Sequence, residues 1–179
     1  MNFKLIGLLF LLLPLTPFAG RLPRGGISPD AAPKQMTGKA DLIRVDKSER
    51  RLELLRGNVV LARYHIALGT SPAGAKVREG DRRTPEGRYV IDWRNAKSGY
   101  HLSMHISYPN ADDIAKAKAI GASAGGNIMI HGQPNGYAVP ASLLLQQIDW
   151  TFGCIAVSNS DMEEIWKSVP DDTPIEINP

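Results

Sequence analysis

Asp41-Leu42-Ile43-Arg44-Val45, Arg51-Leu52-Glu53-Leu54-Leu55 and Val59-Val60-Leu61-Ala62-Arg63-Tyr64-His65-Ile66-Ala67-Leu68 follow one another with only short polar breaks. The breaks, Asp46-Lys47-Ser48-Glu49-Arg50 and Arg56-Gly57-Asn58, are made of residues that turn a chain. Short alternating apolar runs parted by Gly/Asn/Asp clusters predict a meander of antiparallel strands, because side chains on a strand point to opposite faces in turn. More strand-like text follows at Arg88–Trp93, at His101–Ser107, at Asn127–Ile130 leading into His131, and at Thr173–Ile177. The chain therefore reads as a mainly β domain, with no internal repeats.

Three stretches predict helices. Ala111–Ile120 is rich in Ala, Lys and Asp and is ended by Gly121. Val139–Ile148 sets Leu143, Leu144, Leu145 and Ile148 on one side, the pattern of a helix packed on the body. In the last, Ser160 is placed to N-cap and Glu163 to complete a capping box, with Met162, Ile165, Trp166 and Val169 as the apolar face.

The first twenty residues read as an export signal. Lys4 supplies a positive start, Leu5–Leu13 is apolar apart from Gly7, and Ala19-Gly20 closes the segment with small residues. The apolar run is shorter than the roughly 20 residues of a membrane span. Uncleaved, it would tether the protein to the membrane by its N-terminus. Residues 21–39, with Pro23, Gly25, Gly26, Pro29 and Pro33, read as a flexible linker, and residues 40–179 as one folded domain. The protein is expected in the periplasm or cell envelope, as a monomer. A net charge of +3, with basic residues spread out except for Lys76–Arg83 and Arg88, lacks the concentrated stripe of a nucleic-acid binder.

Export makes the single cysteine conspicuous. Cys154 is the one cysteine in 179 residues, and an unpaired thiol in an oxidising compartment is a chemical liability unless its reactivity is used. It stands in Asp149-Trp150-Thr151-Phe152-Gly153-Cys154-Ile155-Ala156-Val157, after a glycine and before an apolar run, which predicts a turn leading into buried structure. His131-Gly132 closes another apolar run, Asn127–Ile130. A thiol and an imidazole at neighbouring strand ends form a nucleophile with its base. His101 and His105 share a strand face, but no third ligand stands at a metal-binding spacing, so neither a metal nor a cofactor is expected. Gly69–Gly87, a polar loop of unusual length for a compact domain, is expected to be functional.

Taken in order, Thr84-Pro85-Glu86-Gly87, His131-Gly132, Thr151-Phe152-Gly153-Cys154-Ile155 and Asp172-Thr173-Pro174-Ile175 resemble the L,D-transpeptidase (YkuD-type) catalytic domain. The resemblance covers Ala40–Asn178. It implies a β-rich fold, sandwich or partly open barrel, that acts on peptidoglycan stem peptides through a cysteine thioester. It further implies Cys154 as nucleophile, His131 as proton carrier and the Gly132 carbonyl as orienter of the imidazole, with Asp149 as a side-chain alternative. The backbone N–H groups of Gly153 and Cys154 are the expected oxyanion donors, and Thr151 a substrate contact. Two positions depart from the family pattern. Phe152 stands where a histidine or other polar residue is usual, and Ala156 where an arginine is usual. Arg82 or Arg83 of the long loop would then supply the cation for a substrate carboxylate. Besides transpeptidation in cell-wall crosslinking or remodelling, two readings stay open: a hydrolase on the same scaffold (a carboxypeptidase or an amide-cleaving enzyme), and a wall-binding module without catalysis.

Overall fold

A computed structural model describes residues 38–136 and 144–179. The predicted signal, most of the linker and the first half of the predicted Val139–Ile148 helix fall outside the described residues.

Eight strands form one sheet in the order β3-β2-β1-β8-β4-β5-β6-β7. They are β1 (Leu42–Asp46), β2 (Arg51–Arg56), β3 (Val59–His65), β4 (Gly87–Asn95), β5 (Ser103–Ile106), β6 (Met129–His131), β7 (Ile155–Ala156) and β8 (Pro174–Asn178). The opening three strands pair as the sequence predicts, with Gly57 at φ +55° turning β2 into β3. The purely antiparallel meander does not extend further. The last strand, β8, inserts between β1 and β4, running parallel to the first and antiparallel to the second. A second parallel pair joins β6 to β7. The result is a mainly β, curled half-barrel sheet with two short helices among the described residues.

The core is set by the rows that face inward. Ile43, Leu52, Leu54, Ile91, Met104, Ile106, Ile130, Ile155 and Ile175 are all fully buried. Each such side chain contributes on the order of 1.5–3 kcal/mol relative to exposure, which is why the alternation is readable in the sequence. Helix α1 (Ala111–Ala119) has the capping box of a strong start: Asn110 Oδ1 accepts from Asp113 N–H at 3.0 Å, and Asp113 Oδ2 accepts from Asn110 N–H at 3.1 Å. Helix α2 (Asn159–Ser168) starts earlier than predicted, because Ser158, not Ser160, caps it by accepting from Asp161 N–H at 3.0 Å. Ser158 has the extended backbone an N-cap needs, whereas Ser160 already lies inside the helix. Its apolar face is as predicted, with Met162, Ile165 and Val169 buried and Trp166 partly so. On the described end of the predicted Val139–Ile148 helix, Leu144 is 68% and Ile148 56% exposed, so those two side chains cover nothing.

Candidate active site

The parallel β6–β7 pair places His131 opposite Ala156 and Ile130 opposite Ile155. Cys154 therefore enters β7 alongside the start of β6, one strand repeat (about 6.6 Å) short of His131. Its sulfur lies 3.6 Å from the Asn127 carbonyl, to which the thiol donates, and beside the Met129 N–H. The thiol points along β6 toward Asn127 and makes no hydrogen bond to the imidazole among the described residues. Burial pushes the thiol pKa up, opposed by the Met129 N–H and the Lys76 charge.

His131 is buried, and its Nδ1 lies 2.6 Å from the Gly132 carbonyl. A carbonyl only accepts, so Nδ1 carries the proton and Nε2 holds the lone pair. Burial lowers the imidazole pKa, with the Gly132 bond acting against it. Both shifts favour the neutral thiol–imidazole pair at rest. Tyr100 and Trp150 box the ring at centroid distances of 4.7 and 5.6 Å. Gly132 is glycine for a packing reason: a Cβ there would sit 2.6 Å from Asn159 Oδ1 and 3.0 Å from His101 Cβ.

The turn before Cys154 is held by Thr151. Its buried hydroxyl donates to the Cys154 carbonyl at 2.7 Å and accepts from the Gly153 N–H at 3.1 Å. The Thr151 hydroxyl thus donates and accepts within its own turn, where it engages the Gly153 N–H, while the Cys154 N–H bonds to no described residue. Gly153, at φ +126°, is needed because a Cβ would meet the Arg83 carbonyl at 2.6 Å. Asp149 does not orient His131. It accepts from Arg50 Nη2 at 2.6 Å and from the Leu68 N–H at 2.8 Å, tying the turn to β1–β2.

The long loop forms the other wall. The Leu68–Thr151 and Ala67–Ala156 backbone bonds fasten its start to β7 and the turn that carries Cys154. Lys47, buried, reaches it through Glu86 Oε1 at 2.7 Å and the Gly74 carbonyl at 2.7 Å. Asp81 is its hub. It accepts from the Val77 (2.7 Å), Arg78 (3.0 Å) and Arg83 (3.0 Å) amides and from Lys76 Nζ at 2.8 Å. The basic stretch Lys76–Arg83 is thus not a simple solvated patch. The two candidate arginines separate. The Arg82 guanidinium lies 5.4 Å from the Phe152 ring centroid and lines an open cleft of about 480 Å³ with Lys76, Glu79, Phe152 and Cys154. Arg83 turns its head group to the Ala75 carbonyl at 3.5 Å and is absent from that lining. His101 and His105 part company too: His101 pairs with Glu163 at 3.1 Å and His105 with Asp92 at 2.6 Å, the latter stacked on Trp93.

Four features were not read from the sequence: the Asn127 carbonyl, the Tyr100–Trp150 box, the Lys76–Asp81 pair and the Thr151 clasp. Only the Lys76–Asp81 pair carried a local signal, a Gly80-Asp81 turn within a basic run.

A profile of the L,D-transpeptidase catalytic domain (YkuD) matches residues 40–177. The chain belongs to that family. YafK of Escherichia coli K12, named as a candidate L,D-transpeptidase, is 30% identical over 174 residues, covering 90% of this chain and 61% of YafK. This family member therefore spans less than two-thirds of that curated relative. Among solved structures, Pgp2 of Campylobacter jejuni, a helical cell shape determining protein, is 25% identical with TM-score 0.58 over 76% of this chain and 46% of Pgp2. An L,D-transpeptidase from Mycobacterium smegmatis shares the fold at 12% identity and TM-score 0.50, over 77% of this chain and 58% of its own. At the position where this family usually carries arginine, Ala156 is buried, and its N–H and carbonyl both bond Ala67 at 2.8 Å. Two cations of the long loop, Lys76 and Arg82, line the cleft that opens onto Cys154.

Proposed function

We propose that this protein is an exported cysteine L,D-transpeptidase of the cell envelope that acts on peptidoglycan stem peptides, in wall crosslinking or remodelling. The observation that carries the reading is the neutral His131, its Nδ1 fixed by the Gly132 carbonyl, beside a cysteine entering the paired strand. Nε2 takes the thiol proton as the sulfur swings from Asn127 toward the ring and attacks the stem-peptide carbonyl. The S–C bond forms, the Cys154 N–H meets the developing oxyanion, and the C–N bond breaks as His131 returns the proton to the leaving amine. An amine of a second stem then attacks the thioester, His131 takes its proton, and the thiol is restored. Arg82 supplies the cation for a substrate carboxylate, in place of the arginine missing at Ala156.

Purified muropeptides incubated with the protein and read by mass test this. Crosslinked or exchanged stem peptides are expected from the wild type and none from Cys154→Ala. Products of water addition alone would make the protein a hydrolase, and no product would leave a wall-binding module.

A further inference from the structure

The cleft that opens onto Cys154 carries charges of both signs, and they differ in how they are satisfied. Lys76 is closed off: its side chain is buried, with Nζ on Asp81 Oδ1 at 2.8 Å and on the Arg78 carbonyl at 3.0 Å. Arg82 is not: its guanidinium lies over the face of Phe152, 5.4 Å from the ring centroid, and pairs with no described carboxylate. Glu79, on the same lining, uses its backbone N–H on the Ser123 carbonyl at 2.7 Å, while its carboxylate pairs with no described residue. Its stem rests against Gly125, where a Cβ would come within 3.1 Å of Glu79 Cβ, so the glycine is what lets Glu79 sit at the cleft wall. Phe152, 74% exposed beside the nucleophile turn, is a platform that holds the guanidinium at the mouth.

Elsewhere the fold brings opposite charges together, as in Lys47–Glu86 and Arg50–Asp149. Here one cation and one anion flank the thiol and stay apart. We infer that Glu79 and Arg82, with Phe152, form a charge-reading subsite for a zwitterionic substrate group, Arg82 taking its carboxylate and Glu79 its ammonium. The inference rests on the cysteine chemistry proposed above, and it adds Glu79 and Phe152 as specificity-determining residues. It also explains how the site keeps a carboxylate contact with alanine at position 156.

The test reads charge preference at Cys154 without requiring turnover. The protein, Glu79→Gln and Arg82→Gln are alkylated at low salt with neutral iodoacetamide, anionic iodoacetate and cationic 2-bromoethylamine. Rates at Cys154 are followed by intact mass and peptide mapping. For exposed charges the expected effects are about two- to five-fold. Arg82→Gln should lower the iodoacetate rate relative to iodoacetamide. Glu79→Gln should lower the 2-bromoethylamine rate and raise that of iodoacetate. Unchanged ratios in both variants overturn the subsite. So do equal changes with all three reagents, which would mean that the residues only shape the loop. A wild-type thiol that none of the three reaches would mean that the cleft does not open onto it, and that too overturns the subsite. Because the wild-type muropeptide reaction is assayed separately, a protein that turns over without charge preference loses the subsite and keeps the function.

Discussion

Gly153→Ala isolates how the nucleophile turn is built. Two costs are added at that position. The backbone sits at φ +126°, where L side chains are strained, a penalty of about 1–3 kcal/mol. The new Cβ would also lie 2.6 Å from the Arg83 carbonyl, a backbone atom that cannot rotate away. Forcing a methyl group into such a contact typically costs about 1–3 kcal/mol more. The sum is about 2–6 kcal/mol. Gly57→Ala is the matched control: its φ is +55°, but a Cβ there meets nothing within 4 Å, so only backbone strain of about 1–2 kcal/mol remains. In a domain of this size each kcal/mol moves Tm by about 4 °C. Thermal unfolding should therefore drop by roughly 4–8 °C for Gly57→Ala and by more for Gly153→Ala. Iodoacetamide labelling of Cys154 should change only in the latter, because the turn carries the sulfur. If Gly153→Ala is no less stable than Gly57→Ala and labels at the wild-type rate, the Arg83 contact does not position the nucleophile.

Cys154→Ala should abolish turnover while unfolding like the wild type, checked by muropeptide mass analysis alongside thermal melts. His131→Ala should slow acylation by about 10²–10⁴-fold. The wild-type pH–rate profile should fall on the acid side, through an imidazole pKa that burial holds below 6.5, and the variant should lose that limb. A carbapenem-type β-lactam should acylate Cys154 with ring opening, giving a mass gain equal to the whole inhibitor on the peptide that bears the thiol. Acid should destabilise the long loop through Asp81. Burial raises its pKa, but Lys76 and the loop amides outweigh that and hold it at about 2, against 3.8 ordinarily. A depressed carboxylate stabilises the folded state above its unfolded pKa, so this contribution should fade as pH drops from about 4 to 2, and Asp81→Asn should flatten that part of a stability-versus-pH curve.

The sequence by itself determined the strand segments: burying one face of a sheet writes a two-residue period into β1, while β2 and β3, whose burial does not alternate strictly, are marked by apolar runs between polar turns. It also set the expectation for the site, since a lone cysteine after glycine and a histidine before glycine are defined by residue type. The Gly132 carbonyl was implied by the family resemblance alone, and the structure places it 2.6 Å from His131 Nδ1. What only the tertiary structure decided are contacts between distant segments. The closing strand β8 slips between β1 and β4, Asp149 goes to Arg50 instead of His131, and the Arg83 carbonyl rests on Gly153 while its guanidinium turns away. The Thr151 hydroxyl closes its own turn, bonding the Cys154 carbonyl and the Gly153 N–H. None of these leaves a period or a spacing in the chain. They follow from which surfaces meet once the hydrophobic rows have collapsed, and a hydroxyl, carboxylate or guanidinium then satisfies itself on whatever donor or acceptor that packing brings within reach.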